Sequence, residues 1–246
     1  MSSRPAAEIR AITLDVGDTL IKAAPSVGEI YAAVCREHGV SLEPERCNRV
    51  FEIVWRKRSV TDGNGRDRFT SSERGEDGYW QDLVTEVMAE CGVDADDVPD
   101  LAAFREAFAS PASWRIYDDV HDALRRLADR GYPLAVLSNW DSHLPRLLDR
   151  LDLQDHFAGV YVSALEGVEK PDRRFFRIAA SGLGIEPSAV LHVGDRLRED
   201  YEGARAAGMH ALWLDRRGNG EAAGDRIDPS HVISGLHGIE AWLGGA

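Results

Sequence analysis

Residues 11–20 read AITLDVGDTL, four residues suited to a buried strand, then Asp15, then a short turn through Gly17 and Asp18 to Thr19 and Leu20. A brief apolar run without polar alternation is the pattern of a strand covered on both faces, as in a parallel sheet. The residue that ends such a run stands at the carboxyl edge, where open α/β sheets bind their ligands. Residues 134–139, 159–164, 189–193 and 210–214 have the same form, with helix-like segments between them, and they end at or beside Ser138, Ser163, Asp195 and Asp215. This alternation predicts an α/β fold with a parallel sheet and helices on both faces. Taken alone, Asp15 reads as a turn residue where the chain leaves the core for water.

Between the first run and Trp114 the strand signal stops and helical periodicity takes over. Val27, Ile30, Tyr31, Val34 and Cys35 form one stripe, opened by a capping box of Ser26 and Glu29. Cys47, Val50, Phe51, Val54 and Trp55 form a second, Trp80 to Cys91 a third, and Leu101, Phe104 and Phe108 a fourth. Four stripes suffice for a small bundle, whose aromatic residues repeat with the helix period and therefore read as its core. Residues 60–78 carry glycines and many charges with few apolar positions, which predicts a loop. The expected organisation is a hydrolase core of residues 1–22 and 113–246, with a four-helix-type cap over residues 23–112. Within the core, Val120 to Ala128 predicts a helix closed by Gly131, Leu144 to Leu151 another, and Leu236 to Leu243 a short closing one. Residues 216–229 read as loop.

The formal charge is −13, from 29 basic and 42 acidic residues, and no block of Lys or Arg forms a stripe that could track a nucleic-acid backbone, so no nucleic-acid partner is expected. No apolar run approaches the roughly 20 residues needed to span a bilayer, and no signal peptide is visible, so a cytoplasmic protein is expected. Cys35, Cys47 and Cys91 lack metal or disulfide spacing and lie on the helical stripes, which makes them small core side chains. Periodicity does not reveal an oligomeric state.

Three further segments follow the first in order: LSNWD at residues 137–141, EKPD at 169–172 and HVGDRLRED at 192–200. Together the four resemble the haloacid dehalogenase superfamily of aspartyl hydrolases, with helices inserted after the first strand. DVGDTL, SNWD and KPD are most similar to the subgroup named for a rhythmically expressed gene 2 product. The resemblance covers nearly the whole chain and implies a Rossmann-like core acting on a small-molecule substrate. It implies that Asp15 is a nucleophile forming an aspartyl-phosphate, and that Ser138 and the Asn139 backbone hold the phosphoryl group. Lys170 would balance charge between them. Asp15, Asp195 and the Gly17 carbonyl would hold Mg2+, with Asp200 orienting that shell. Phosphoryl transfer needs positioning and charge neutralisation above all, which such a set supplies. Lys170 is one of only three lysines in a chain whose other 26 cations are arginine, and a compact ammonium does a different job from a planar fork. His192, inside an apolar run, reads as a hydrogen-bonded core histidine; His143 and Asp141 receive no role.

The chain departs from the family pattern at Gly17, where phosphatases of this kind carry a second aspartate as general acid and base. Asp18, one residue on, is expected to point elsewhere. General acid–base help is worth roughly 10²- to 10⁴-fold, so poor leaving groups should be hydrolysed slowly. Two other readings compete with a magnesium-dependent phosphatase. One is a binding or regulatory protein with little turnover. The other is carbon chemistry at Asp15, as in 2-haloacid dehalogenases or a phosphonate-cleaving relative, for which Lys57 in the RKR run is the evident cap lysine.

Overall fold

The computed structural model describes residues 8–58, 66–70, 73–218 and 227–244. The chain divides into two compact units, one of Met1–Ile21 with Ile116–Ala246 and one of Lys22–Arg115. Strands among the described residues are β1 (Ala11–Leu14), β2 (Ile21–Ala23), β3 (Trp114–Ile116), β4 (Leu134–Ser138), β5 (Gly159–Val162), β6 (Val190–Gly194), β7 (His210–Leu214) and β8 (Val232–Ile233). The helices are α1 (Val27–Glu37), α2 (Pro44–Arg58), α3 (Gly75–Glu90), α4 (Leu101–Ala109), α5 (Val120–Asp129), α6 (Leu144–Arg150), α7 (Ser163–Glu166), α8 (Arg173–Gly182), α9 (Gly203–Ala207) and α10 (Gly238–Gly244). None is long and apolar enough to cross a membrane.

One six-stranded parallel sheet, ordered β5-β4-β1-β6-β7-β8, organises the first unit. Counting its strands alone in chain order gives 3-2-1-4-5-6, the doubly wound arrangement whose order reverses beside the first strand. That reversal places the carboxyl ends of β1, β4 and β6 side by side. The apolar runs lie there because each is covered on both faces: Ala11, Ile12, Leu14, Val136, Leu137, Leu191 and Val193 have no solvent exposure. Asp15 is fastened to the edge of β6 through its amide, which donates to Val193 O at 2.9 Å.

The helical unit follows its apolar stripes. Ser26 and Glu29 form the reciprocal capping box that opens α1. Tyr31 packs against Phe51, Phe104 and Phe108, with ring centroids 4.8–6.0 Å apart. Cys35, Cys47 and Cys91 are free, buried thiols of this core, and burial pushes the Cys35 thiol up to about 11.

Several sequence expectations need correction. The stretch before Trp114 does contain a strand, since Ile21–Ala23 pairs with Trp114–Ile116 in a two-stranded sheet too short to show a period. The loop expected over residues 60–78 ends early, because α3 begins at Gly75. Asp67 and Phe69 are buried at 1% exposure, with the Asp67 carboxylate accepting from the Thr70 amide and hydroxyl at 2.9 and 3.1 Å. Residues 59–65 and 71–72 of that loop, and 219–226 of the loop expected at 216–229, lie outside the described residues. The strand expected at 159–164 stops at Val162, where Ser163 starts a short helix.

Candidate active site

Asp15 sits at the end of β1 with 7% exposure. Its Oδ1 accepts from Ser138 Oγ at 2.8 Å, at the end of β4, and from Lys170 Nζ at 2.7 Å. Oδ2 takes no hydrogen bond among the described residues. Lys170 is 2% exposed and spends its three ammonium protons on Asp15 Oδ1, on Leu137 O at 2.9 Å and on Asp200 Oδ1 at 2.6 Å. Asn139 secures the backbone beneath it: its side chain donates to Lys170 O at 2.9 Å and accepts from Lys170 N at 2.7 Å.

Asp195 follows β6 directly, and one carboxylate oxygen each of Asp15, Asp195 and Asp200 lie within 4.8 Å of one another. A π-helical turn, Leu197–Glu202, brings Asp200 back under the strand end, where it is fully buried. Gly194 makes that possible, for a Cβ there would stand 2.2 Å from Asp200 Cγ. Asp200 Oδ2 accepts from the Arg196 amide at 2.8 Å, and Oδ1 meets His192 Nε2 at 3.1 Å as well as Lys170.

Three carboxylates thus cluster where one buried ammonium bonds two of them, Asp15 and Asp200. Burial works against the charge on Lys170, but Asp15 and Asp200 outweigh it and raise its pKa. Asp200 is likewise pushed up by burial, yet Lys170 and His192 hold it far below the ordinary carboxylate range. Asp195 has only the Arg196 guanidinium, 3.5 Å away, to set against burial and the charges of Asp15 and Asp200, and these together hold it well above that range. A divalent cation bonded to oxygen would relieve this excess, and hard carboxylate donors suit Mg2+. Asp200 has both oxygens engaged, which leaves Asp15 and Asp195 as the carboxylates able to hold a cation.

Gly17 lies in the turn after β1, and a Cβ added to it would stand 3.3 Å from Trp140 Cζ3. Asp18 has a left-handed φ of 53° and faces Tyr117 Oη and Arg217 Nη2, each at 3.5 Å. Asp141 and His143 close on each other, the His143 amide donating to Asp141 Oδ1 at 3.0 Å. Ser163 braces the SNWD loop, its Oγ accepting from Trp140 N at 3.1 Å and donating to Trp140 O at 3.2 Å. Lys57, with a 74% exposed side chain, pairs with Glu86 at 2.8 Å. Arg196, with Nε 3.5 Å from Asp195 Oδ2, is a cation beside the cluster that no sequence pattern singled out.

Fold and cluster define a class: an open α/β protein with its chemistry at the strand ends beside the central strand. Within it, the chain belongs to the haloacid dehalogenase-like hydrolase family, whose model matches residues 9–208. The human haloacid dehalogenase-like hydrolase domain-containing protein 3 is 34% identical over 93% of this chain and 91% of its own length. The rhythmically expressed gene 2 protein of Drosophila melanogaster is 27% identical over 95% of each, matching the subgroup that DVGDTL, SNWD and KPD suggest. A phosphoserine phosphatase of Thermus thermophilus is 36% identical over 54% of this chain and 53% of its own. A crystal structure of a phosphatase of this family from Thermococcus onnurineus superposes with a TM-score of 0.68 at 22% identity, covering 96% of this chain and 99% of that one.

Proposed function

We propose that the protein is a cytoplasmic, magnesium-dependent phosphatase that hydrolyses a small phosphorylated metabolite through an aspartyl-phosphate at Asp15. The observation that carries this reading is the pinning of Asp15 Oδ1 by Ser138 at 2.8 Å and Lys170 at 2.7 Å, inside a cluster where acids outnumber the buried cation. A carboxylate held in this way is oriented for in-line attack, and orientation is most of what phosphoryl transfer requires. Asp15, Asp195 and the Gly17 carbonyl would hold Mg2+, which when bound supplies charge neutralisation for the phosphate oxygens.

In this scheme an Asp15 oxygen bonds to phosphorus as the ester oxygen departs. Ser138 and the Asn139 amide hold the phosphoryl oxygens, and the Lys170 ammonium, bonded to Asp15 Oδ1, balances charge between nucleophile and phosphoryl group. Water then attacks phosphorus, freeing phosphate and restoring Asp15; the proton taken up by the alcohol is balanced by one lost from water. Gly17 offers no acid for the leaving group, so substrates whose leaving groups need little protonation, such as aryl and acyl phosphates, are preferred. The helical unit inserted in the chain after β1, which we place at residues 23–112 between the two parts of the core, serves as a cap that selects the substrate.

The acidic trio argues against the dehalogenase alternative, which has no use for a cation site. The test is release of phosphate from an aryl phosphate with and without Mg2+, in the wild type and in Asp15→Asn. Magnesium-dependent release that the substitution abolishes supports the proposal. No release by a protein that still binds Mg2+ would replace it with a non-catalytic binder of metal and phosphate.

A further inference from the structure

The site rests on a buried polar chain that extends beyond Lys170 and Asp200. Thr13 and His192 are register partners on the adjacent parallel strands β1 and β6, so their side chains share one face of the sheet. Both are fully buried. Thr13 Oγ1 lies 2.9 Å from His192 Nδ1, and His192 Nε2 lies 3.1 Å from Asp200 Oδ1, the oxygen that also takes Lys170 at 2.6 Å. Phe176 meets the imidazole edge-on, with ring centroids 5.2 Å apart and planes at 86°.

The proton positions follow from donor chemistry. An ionised carboxylate only accepts, so Nε2 carries the hydrogen toward Asp200. The neutral ring then presents Nδ1 as an acceptor, and the Thr13 hydroxyl donates to it. With Phe176 packed perpendicular to it and a partner on each nitrogen, the ring has one orientation. Asp200 Oδ1 is therefore held by His192 as well as by Lys170, while Oδ2 is fixed by the Arg196 amide. All three ammonium protons of Lys170 have acceptors, so a shift of Asp200 would pull the ammonium off Asp15 or leave one proton unpaired.

We propose that Thr13 and His192 are positioning residues, which lock the Asp200 carboxylate and through it the Lys170 ammonium against Asp15. A core histidine serving packing alone would require no defined tautomer and would leave Lys170 indifferent to its replacement by another residue of suitable volume. The kinetic consequence rests on the phosphatase reading; the placement of Lys170 does not.

The experiment is ¹⁵N NMR of the full-length protein, reading the His192 ring nitrogens and the exchange of the Lys170 ammonium protons with water. It compares wild type, Thr13→Val, His192→Gln and His192→Phe. The wild type should show the neutral Nε2–H tautomer and slowly exchanging Lys170 protons. His192→Phe, which removes the donor, should accelerate that exchange about 10-fold or more, and His192→Gln, whose amide can donate to Asp200, should restore much of the protection. Thr13→Val, the milder change, should loosen Lys170 in the same direction if His192→Phe fails to fold. Phosphate release, where the wild type shows it, should fall about 10- to 100-fold in kcat in His192→Phe with KM little changed, the range for lost outer partners of a site. An Nδ1–H tautomer in the wild type, or Lys170 exchange unchanged across the folded variants, would overturn the proposal whether or not the protein hydrolyses phosphate esters.

Discussion

Gly194→Ala is a one-atom test of how the site is assembled. Gly194 ends β6 without a left-handed φ, so its backbone accepts a side chain. The obstacle is Asp200, whose Cγ, Oδ2 and Oδ1 would lie 2.2, 2.4 and 2.7 Å from the new Cβ. Comfortable carbon contacts begin at about 3.5 Å, so the carboxylate must recede by about 1 Å. It is bonded at 2.6 Å to Lys170 and 3.1 Å to His192, and that retreat carries at least one of them past hydrogen-bonding length. Overpacking costs about 1–3 kcal/mol, and disrupting a buried ion pair adds up to about 3–5 kcal/mol. Restricting the unfolded chain returns about 0.4–1 kcal/mol. We expect a net loss of about 3–5 kcal/mol, which lowers Tm by roughly 6–20 °C at about 2–4 °C per kcal/mol. Thermal and urea melts of Gly194→Ala should be repeated in an Asp200→Ala background, where the clash is gone and the added cost should fall below about 1 kcal/mol. Equal costs in the two backgrounds would refute the reasoning.

Further predictions concern the surroundings of the site. Arg216 stacks 3.9 Å over the Tyr117 ring, pairs with Asp119 at 2.9 Å and donates to Thr19 O at 2.8 Å. Arg216→Ala should therefore cost about 2–3 kcal/mol in melts, less than a fully buried pair because both side chains retain some exposure, and an unchanged Tm would contradict it. Asp195 has its folded pKa raised by burial and by Asp15 and Asp200, so without metal the folded state holds a proton that the unfolded chain releases. The contribution of Asp195 to metal-free stability should decline as pH rises from its unfolded value of about 4 through the raised folded value, whereas stabilisation by added Mg2+ should grow. Melts of wild type against Asp195→Asn, in chelator and in Mg2+, read both slopes; parallel curves would sink the assignment. Gly17→Asp supplies an acid at the cost of a few tenths of an ångström at Trp140, and should raise turnover of alkyl phosphates by about 10²-fold or more while changing aryl phosphates much less. Equal gains on both would mean that protonation of the leaving group is not what limits the parent.

The fold was legible where local pattern and tertiary burial coincide. The run at Ala11–Leu14 and the Ser26 and Glu29 capping box each state their structure within a few residues. Ile21–Ala23 did not, because three residues carry no period and the partner lies at Trp114–Ile116. The early start of α3 was hidden by Gly75 and Gly78, which depress helix propensity although Gly78 and Tyr79 are buried. In the site, strand order brings Asp15 and Ser138 together and the Asn139 side chain ties the Lys170 backbone beside them, and resemblance named all three in advance. Asp200 was legible as an acid near the cluster, but its depth under β6 depends on the π-helical turn and on the missing Cβ of Gly194, neither of which has a sequence period. His192 read as a core histidine and is buried as such; its partners are invisible until β1 and β6 are aligned, which sets Thr13 opposite it.

The most direct measurement is the fate of phosphorus on the protein itself. Acid quenching during turnover of a radiolabelled aryl phosphate with Mg2+, followed by peptide mapping, should recover label as a hydroxylamine-sensitive acyl phosphate on the peptide containing Asp15, and none from Asp15→Asn. Turnover without label on that peptide, or label that persists in Asp15→Asn, would contradict the assignment of Asp15 as the nucleophile.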